Sequence, residues 1–597
     1  MDCLNNNYVR ITPPSSKPGQ PPSDRPGCTT MGRNVIARDK NEFSLLLDLP
    51  EDIQSKIFTY LQARDIALLT RVNSSINNRL KNDDAMARAC YRRLASSHQA
   101  RLKKIVTTKD KDELQKWLQR FTKDEALVKS IMDRQASIYF PALFFSTLTK
   151  LMCQCKAFKL ETKASIPCSS RENSATFSDD GRHLVIACDF GTWKIYGQES
   201  DGSWEEKGTI FHEYCFKSVT FSADGRYVVA VYRDDKAIIY GQKDERSWEE
   251  VTISHDDSLC SASFSTDGRF VVITTKNNKA KICGKRDDGS WVKEVTISHD
   301  KSLQSATFST DGSHVVTASF DGKAKIYSKK NDGSWIEKAI ISHDKWVQSA
   351  AFSDDDRHVV TRSIDHKVKI YGLKADGSWE EKAIISHNKD INSATFSADN
   401  RHLVTSSDDR RAIIYGKKDD GSWEEKATIY HDDWVFSATF NSDSRSVVTR
   451  SVDRVAKIYG QKDDGSWEEK MIISHYLKII SATFSVDGRH VITRGEDSKV
   501  KIYGHKDNGS WEEKAIISHA YGDVILATFS LDDRHLVAAG NHKTVKICGL
   551  VSDGSWKIKA AISHREGIRT AIFSADGHVL TIHDDDTAKI TELSMKD

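Results

Sequence analysis

From about residue 156 to the C-terminus, apolar and polar positions recur with a period of about 44 residues. In the unit from His299 to Trp335, Ser305-Ala306-Thr307-Phe308-Ser309 alternates in polarity and predicts a half-buried strand. Asp311-Gly312 predicts a tight turn, and His314-Val315-Val316-Thr317 the next strand. Asp321-Gly322 turns again before a third strand, Ala324-Lys325-Ile326-Tyr327. After Asp332-Gly333, Trp335 opens a fourth strand that ends at Ile341. Four antiparallel strands at this period predict one blade of a propeller.

The markers of the unit recur along the chain. DGSW carries Trp204, Trp291, Trp335, Trp379, Trp423, Trp467, Trp511 and Trp556, and the variant ERSW carries Trp248. Phe177, Phe221, Phe264, Phe308, Phe352, Phe396, Phe440, Phe484, Phe529 and Phe573 mark ten inner strands. Nine outer strands follow the tryptophans, and a tenth is expected at Phe158–Ile166, with Leu160 in the tryptophan's place. The array then begins with an outer strand that completes the last blade, which removes the free edges of an open sheet. One ten-bladed ring is the first choice; two smaller rings, or a smaller ring with spare repeats, stay open.

The order His-x-x-x-Val-x-Ser-Ala-x-Phe-Ser-x-Asp-Gly, then strand, Asp, strand and aromatic, resembles the WD repeat over residues 156–597. The chain departs from that family at the end of the third strand. Tyr-Gly stands for Trp-Asp at Tyr371-Gly372, Tyr415-Gly416, Tyr459-Gly460 and Tyr503-Gly504.

A hydroxyl, an imidazole and a carboxylate recur as His299/Thr317/Asp321, His343/Thr361/Asp365, His387/Thr405/Asp409, His431/Thr449/Asp453 and His475/Thr493/Asp497. Such a trio suits nucleophilic catalysis, yet a catalytic site is needed once and this one occurs in at least five units. The WD resemblance implies a structural network instead, with Asp orienting His, His bonding Thr, and Tyr327 or its equivalents standing in for Trp.

Residues 41–95 have a different pattern. Leu49-Pro50-Glu51-Asp52-Ile53 places a proline and acids in a first helical turn. Ile53, Ile57, Phe58 and Leu61 follow at helical spacing, then Ile66, Leu68, Leu69 and Val72 after Asp65. The segment LPEDIQSKIFTYLQARDIALLTRVNSSINNRL resembles an F-box, although Tyr91-Arg92-Arg93-Leu94 stands where that family often has a tryptophan. A generic three-helix domain is the alternative. Residues 96–155 read as a helical linker, with Leu114, Trp117, Leu118 and Phe121 on one face and Leu127, Ile131 and Ile138 continuing it. Residues 1–40 hold six of the nine prolines and few large apolar side chains, which predicts a disordered tail. The expected class is thus multidomain: a small all-α F-box and helical linker, then an all-β propeller of about ten WD-like blades.

With 87 basic and 85 acidic residues, the formal charge of +2 supplies no field for nucleic acid. The 11 cysteines are scattered, with no CxxC pair, so neither a zinc site nor a disulfide framework is expected. No run of 18 apolar residues and no leading signal predicts a membrane association. The expectation is a cytoplasmic protein, or one delivered into a host cell if its source is a microbe, with no catalytic residue, metal or cofactor.

F-box plus WD propeller implies a substrate receptor of an SCF-type ubiquitin ligase. The F-box would dock on a Skp-type adaptor and its cullin core through Leu49, Pro50, Ile53, Ile57, Phe58 and Leu61. The propeller would hold the target at positions that differ between units: Trp346, Gln348, Arg362, Ile364, Trp434, Phe436, Arg450, Val452 and Arg494. Aromatic and arginine side chains anchor many protein interfaces. Three arginines favour an acidic or phosphorylated segment. A non-catalytic scaffold without a ligase role is the second reading, and an enzyme the last.

Overall fold

The computed structural model describes the chain from Ala87 onward, apart from short segments such as 169–174, 188–191, 212–215, 233–236 and 254–258. Leu49, Pro50, Ile53, Ile57, Phe58 and Leu61 lie outside the described residues. Residues 90–597 form one compact unit.

The repeats fold into ten four-stranded antiparallel sheets. In chain order, blades 1 to 9 start at Ala175, Phe216, Leu259, Leu303, Val347, Ile391, Val435, Ile479 and Val524. Blade 10 takes three strands from Ile568–Phe573, Val579–His583 and Thr587–Met595, and its fourth from Phe158–Pro167 at the other end of the array. Leu160 pairs with Leu593 there, the register that Trp335 holds against Lys329 in blade 4. The expected closure by the first strand is therefore met, residue for residue.

Ring closure is visible in the cores. Each of the ten junctions between neighbouring blades has its own apolar cluster, including one that joins Leu184, Ile186 and Trp204 of blade 1 to Leu580, Ile582 and Ile590 of blade 10. Burying a Val, Leu or Ile contributes about 1.5–3 kcal/mol, so every junction is a small core of its own. The DGSW tryptophans pack across these junctions. Trp379, Trp423 and Trp467 lie edge-on, about 6 Å away, to His314, His358 and His402 of the preceding blades.

Antiparallel order puts the first–second and third–fourth turns at one end of the ring, the lower face. The second–third turns and the linkers between blades lie at the upper face. On the lower face, blades are stitched turn to turn. Asp356 sits at φ +58°, where blades 1 to 4, 8 and 10 have glycine, and its carboxylate accepts from Thr310 N (2.7 Å) and Asp311 N (2.9 Å) of the blade before. The left-handed backbone costs an L-residue about 1 kcal/mol, and the two inter-blade hydrogen bonds offset it.

Among the described residues, four helices precede the ring: α1 (Ser96–Thr108), α2 (Lys111–Gln119), α3 (Glu125–Met132) and α4 (Phe140–Gln154). Asp110 caps α2 in a reciprocal capping box with Glu113. Leu114, Trp117, Leu118 and Phe121 are buried as their spacing predicts, whereas Ile138 is exposed in the turn before α4. The helices share one continuous core with blades 9 and 10, where Phe144, Leu148, Leu151 and Phe158 meet Val537, Ile547 and Leu593. Polar contacts fasten the same junction. Lys559 Nζ donates to Met152 O at the end of α4 (2.7 Å), Lys109 Nζ lies 3.8 Å from Asp576 Oδ2, and Arg120 Nε donates to Leu593 O (3.2 Å). Arg182 in the first turn of blade 1 pairs with Glu113. The helices therefore cover the lower face at blades 9, 10 and 1. No helix among the described residues is long and apolar enough to cross a membrane.

Candidate functional site

The His/Thr/Asp trios form as the spacing predicts. His343 Nδ1 is 2.9 Å from Asp365 Oδ2, and its Nε2 is 2.8 Å from Thr361 Oγ1. His299, His387, His431 and His475 repeat both contacts at 2.8–2.9 Å. Burial pushes the His343 imidazole below its usual pKa, against the opposing charge of Asp365. A neutral ring donates from Nδ1 and accepts the threonine proton at Nε2, so all three groups are satisfied. Burial alone would raise Asp365, but hydrogen bonds from His343 and from Lys367 N and Asp344 N bring it below the usual carboxylate value.

Each trio also joins two blades. His343 lies in the linker from blade 4 to blade 5. Its backbone N–H donates to Gly322 O in the second–third turn of blade 4 (2.8 Å), while its ring holds blade 5. Thr317, Thr361, Thr405, Thr449 and Thr493 are fully buried, so no substrate reaches these hydroxyls. Tyr327 does not replace the missing tryptophan. Its hydroxyl donates to Glu337 Oε2 on the outer strand (3.1 Å), as Tyr371 and Tyr503 do to Glu381 and Glu513. The tyrosine pairs with Val315 on the second strand and with Glu337 on the fourth, and its hydroxyl takes the Glu337 side. Asp365→Ala strips His343 and two backbone N–H groups of their acceptor and is expected to cost about 1–3 kcal/mol. A thermal melt with no loss of midpoint would contradict this.

The variable positions lie on the upper face for a reason that periodicity does not show. Pairing shifts by one residue near the start of each inner strand, as between Val347↔Ser363 and Ser349↔Arg362. Gln348, Asn392, Phe436 and Ile480 are the extra residues of these bulges. A bulge releases its residue from the ladder and re-aims the side chain, which frees that position to vary.

The arginines are engaged more than their spacing suggests. Arg362 donates to Gln348 Oε1 (2.6 Å) and to Ile391 O of the next blade. Arg450 Nη1 donates to Ile479 O (3.1 Å) and Arg494 Nη1 to Val524 O (2.5 Å), again the first inner-strand residue of the next blade. Blade 6 has the shorter Ser406 at this place, and Asn392 Nδ2 makes the equivalent bond to Val435 O (2.9 Å). One role of these side chains is thus to fasten neighbouring blades. Burial lowers the pKa of Arg362, Arg450 and Arg494 alike. A guanidinium has five N–H donors and stays charged, so further donors remain.

The aromatic residues split into two groups. Trp346 stacks on Phe320 of blade 4 at 4.5 Å between ring centroids. Phe436 of blade 7 carries Arg450 at 4.7 Å and Lys478 at 4.8 Å from its ring centre. Trp434 is 44% exposed beside it in sequence. Ile364 and Val452 are half-buried, and their backbone N–H groups donate to Trp346 O (3.1 Å) and Trp434 O (3.0 Å). Tyr476 and Leu477 are 81% and 41% exposed in the blade 7–8 linker. Among the described residues, no group of three or more His, Cys, Asp or Glu side chains is arranged to hold a metal ion.

The family model for the WD domain, G-beta repeat, matches residues 291–328, 336–372 and 379–415, which fall in blades 3 to 6. No F-box model matches the chain. No curated protein matches it. Solved structures similar in part include the Saccharomyces cerevisiae Sqt1, 16% identical, covering 56% of this chain and 96% of that one, with a TM-score of 0.39. The C-terminal WD40 domain of Sif2 is 14% identical, covering 57% of this chain and 97% of that one, with a TM-score of 0.37. The chain carries WD40 repeats, built into a ten-bladed propeller, an architecture that suggests a scaffold for protein–protein interaction.

Proposed function

We propose that this protein recruits targets to an SCF-type ubiquitin ligase. Residues 41–95 dock on a Skp-type adaptor and its cullin core, and the upper face of the propeller holds the target. The observation that carries the second half is the division of the ring. Within residues 90–597 the helices sit on the lower face, and the variable, exposed side chains gather on the upper one. Support for the first half is the motif itself: the stripe Leu49, Pro50, Ile53, Ile57, Phe58 and Leu61 offers more apolar side chains than three short helices need for their own core. The target would meet Trp346, Gln348, Arg362, Ile364, Trp434, Phe436, Arg450, Val452 and Arg494.

Affinity capture from a eukaryotic lysate tests this. The full chain should recover a Skp-type adaptor and a cullin. Leu49→Ala with Pro50→Ala should lose both while the thermal melt of the propeller is unchanged. Equal recovery by parent and variant would overturn docking through this stripe, and recovery of neither by the full chain would leave the second reading, a propeller scaffold without a ligase role. That reading draws on the absence of a family match to residues 41–95.

A further inference from the structure

We infer that the partner's contact is centred on the seam between blades 7 and 8, and that it is an acidic segment carrying an apolar side chain. This rests on the reading of the upper face as the target-holding surface. The seam is unusual first in its linker. In blades 4 and 5 the residue after the trio histidine is an aspartate paired with a lysine, Asp300 with Lys323 (3.1 Å) and Asp344 with Lys367 (2.8 Å). Blade 8 gives up this pair. Tyr476 stands in the aspartate's place and Leu477 follows where blades 4 to 6 have lysine, and both face solvent. A linker that exchanges an ion pair for two exposed apolar side chains gains nothing for its own fold, because exposed apolar surface stabilises only when something covers it.

The second observation is charge. Lys478, two residues beyond Tyr476, and Arg450 both lie over the Phe436 ring, and the charge of Arg494 acts on Arg450. Among the described residues, no carboxylate lies within ion-pair distance of Arg450, Lys478 or Arg494. The acids in the vicinity are Asp523, whose charge acts on Arg494, and Glu496, which is exposed and whose backbone N–H donates to Lys478 O (2.9 Å). Two cations at one aromatic ring, with the charge of a third acting on one of them, repel one another, and an incoming carboxylate relieves that repulsion. Blade 5 is different: Arg362 is held by Gln348 and Ile391 O, and Trp346 covers Phe320. The seam thus offers an apolar step at Tyr476 and Leu477 beside a cationic step at Phe436. An extended segment alternating acidic and apolar residues matches both.

The probe is a fluorescein-labelled hexapeptide of alternating glutamate and leucine, titrated by anisotropy against the full-length protein. Control peptides replace glutamate by lysine, glutamine or phosphoserine, or leucine by glutamate. The glutamate–leucine peptide should bind, less tightly as salt rises, and the lysine and glutamine versions should not. Tyr476→Asp with Leu477→Lys rebuilds the linker of blade 5, so the fold is kept, and affinity should fall about tenfold or more. Lys478→Glu should do the same, and Ile384→Ala, at an exposed position on the outer strand of blade 5, should leave affinity unchanged. Equal binding of the glutamine peptide, unchanged affinity in the rebuilt linker, or an equal loss with Ile384→Ala would each overturn the assignment. Binding of the phosphoserine peptide alone would overturn the carboxylate preference. None of these measurements involves the ligase adaptor, so their failure is distinct from failure of the Leu49/Pro50 test.

Discussion

A chain that begins at residue 156 should fail to yield a folded propeller, although it keeps every strand of the ring. Phe144, Leu148, Leu151 and Met152 form one core with Val537, Ile547 and Leu593, so removing the helices opens the junction of blades 9 and 10 to water. Four such side chains correspond to about 6–12 kcal/mol of burial. The same cut takes Lys109 and Arg120 away from Asp576 and Glu592, which are 3% and 16% exposed. Stranding a buried charge costs about 3–5 kcal/mol. The sum reaches the whole net stability of an ordinary domain, about 5–15 kcal/mol. Soluble yield, circular dichroism and melting of residues 156–597 beside residues 90–597 test this. A monomeric 156–597 that melts cooperatively near the longer chain would mean that the helices are appended to a self-sufficient ring.

The largest effect of a single substitution is expected at Arg120. Its guanidinium donates to Leu593 O at 3.2 and 3.1 Å and lies 3.4 Å from Glu592 Oε2. Burial would raise the Glu592 pKa, but His578, whose Nε2 lies 3.7 Å away, and the charge of Arg120 bring it down to about 2. The sign follows from linkage. A carboxylate whose folded pKa lies below its unfolded value stabilises above the unfolded value, and that contribution is lost as pH falls through the folded one. Arg120→Ala should therefore cost about 3–5 kcal/mol at pH 7. The deficit should shrink as pH falls from about 4.5 towards 2, where Glu592 is protonated in both proteins. Urea midpoints at pH 7 and pH 3 check both parts; a deficit independent of pH would assign the loss to packing alone.

The ring was legible in the sequence because its signals are redundant. Ten phenylalanines and nine tryptophans repeat at one spacing, and Leu160 could be placed by counting alone. The trios were legible because His, Thr and Asp recur together. Other features depend on geometry that spacing does not encode. A bulge adds one residue without changing the period, so Gln348 and Phe436 showed as variable before anything explained why. The arginines read as free charge because their partners are backbone carbonyls, which have no sequence signature. Tyr327 misled for a related reason: its position matches the tryptophan, but its hydroxyl reaches Glu337 on the other side of the strand. The helical segment read as a linker because amphipathic spacing shows that a face is buried, not what buries it.

The trios are not spread evenly around the ring, and this orders its parts in time. Blades 4 to 8 hold the complete set, whereas Ile186, Ala230, Ile273 and Ala538 occupy the threonine's place in blades 1, 2, 3 and 9. Blades 9 and 1 are braced by the helices, which leaves blades 2 and 3 as the arc with neither a trio nor a helix among the described residues. Brief local openings begin where such ties are fewest. Backbone amides of blades 2 and 3 will then exchange with solvent first, and those of blades 4 to 8 last. The surface from Trp346 to Arg494 lies wholly on the slow arc. A partner bound there meets a platform that is already still, and the breathing of the ring goes on at its far side.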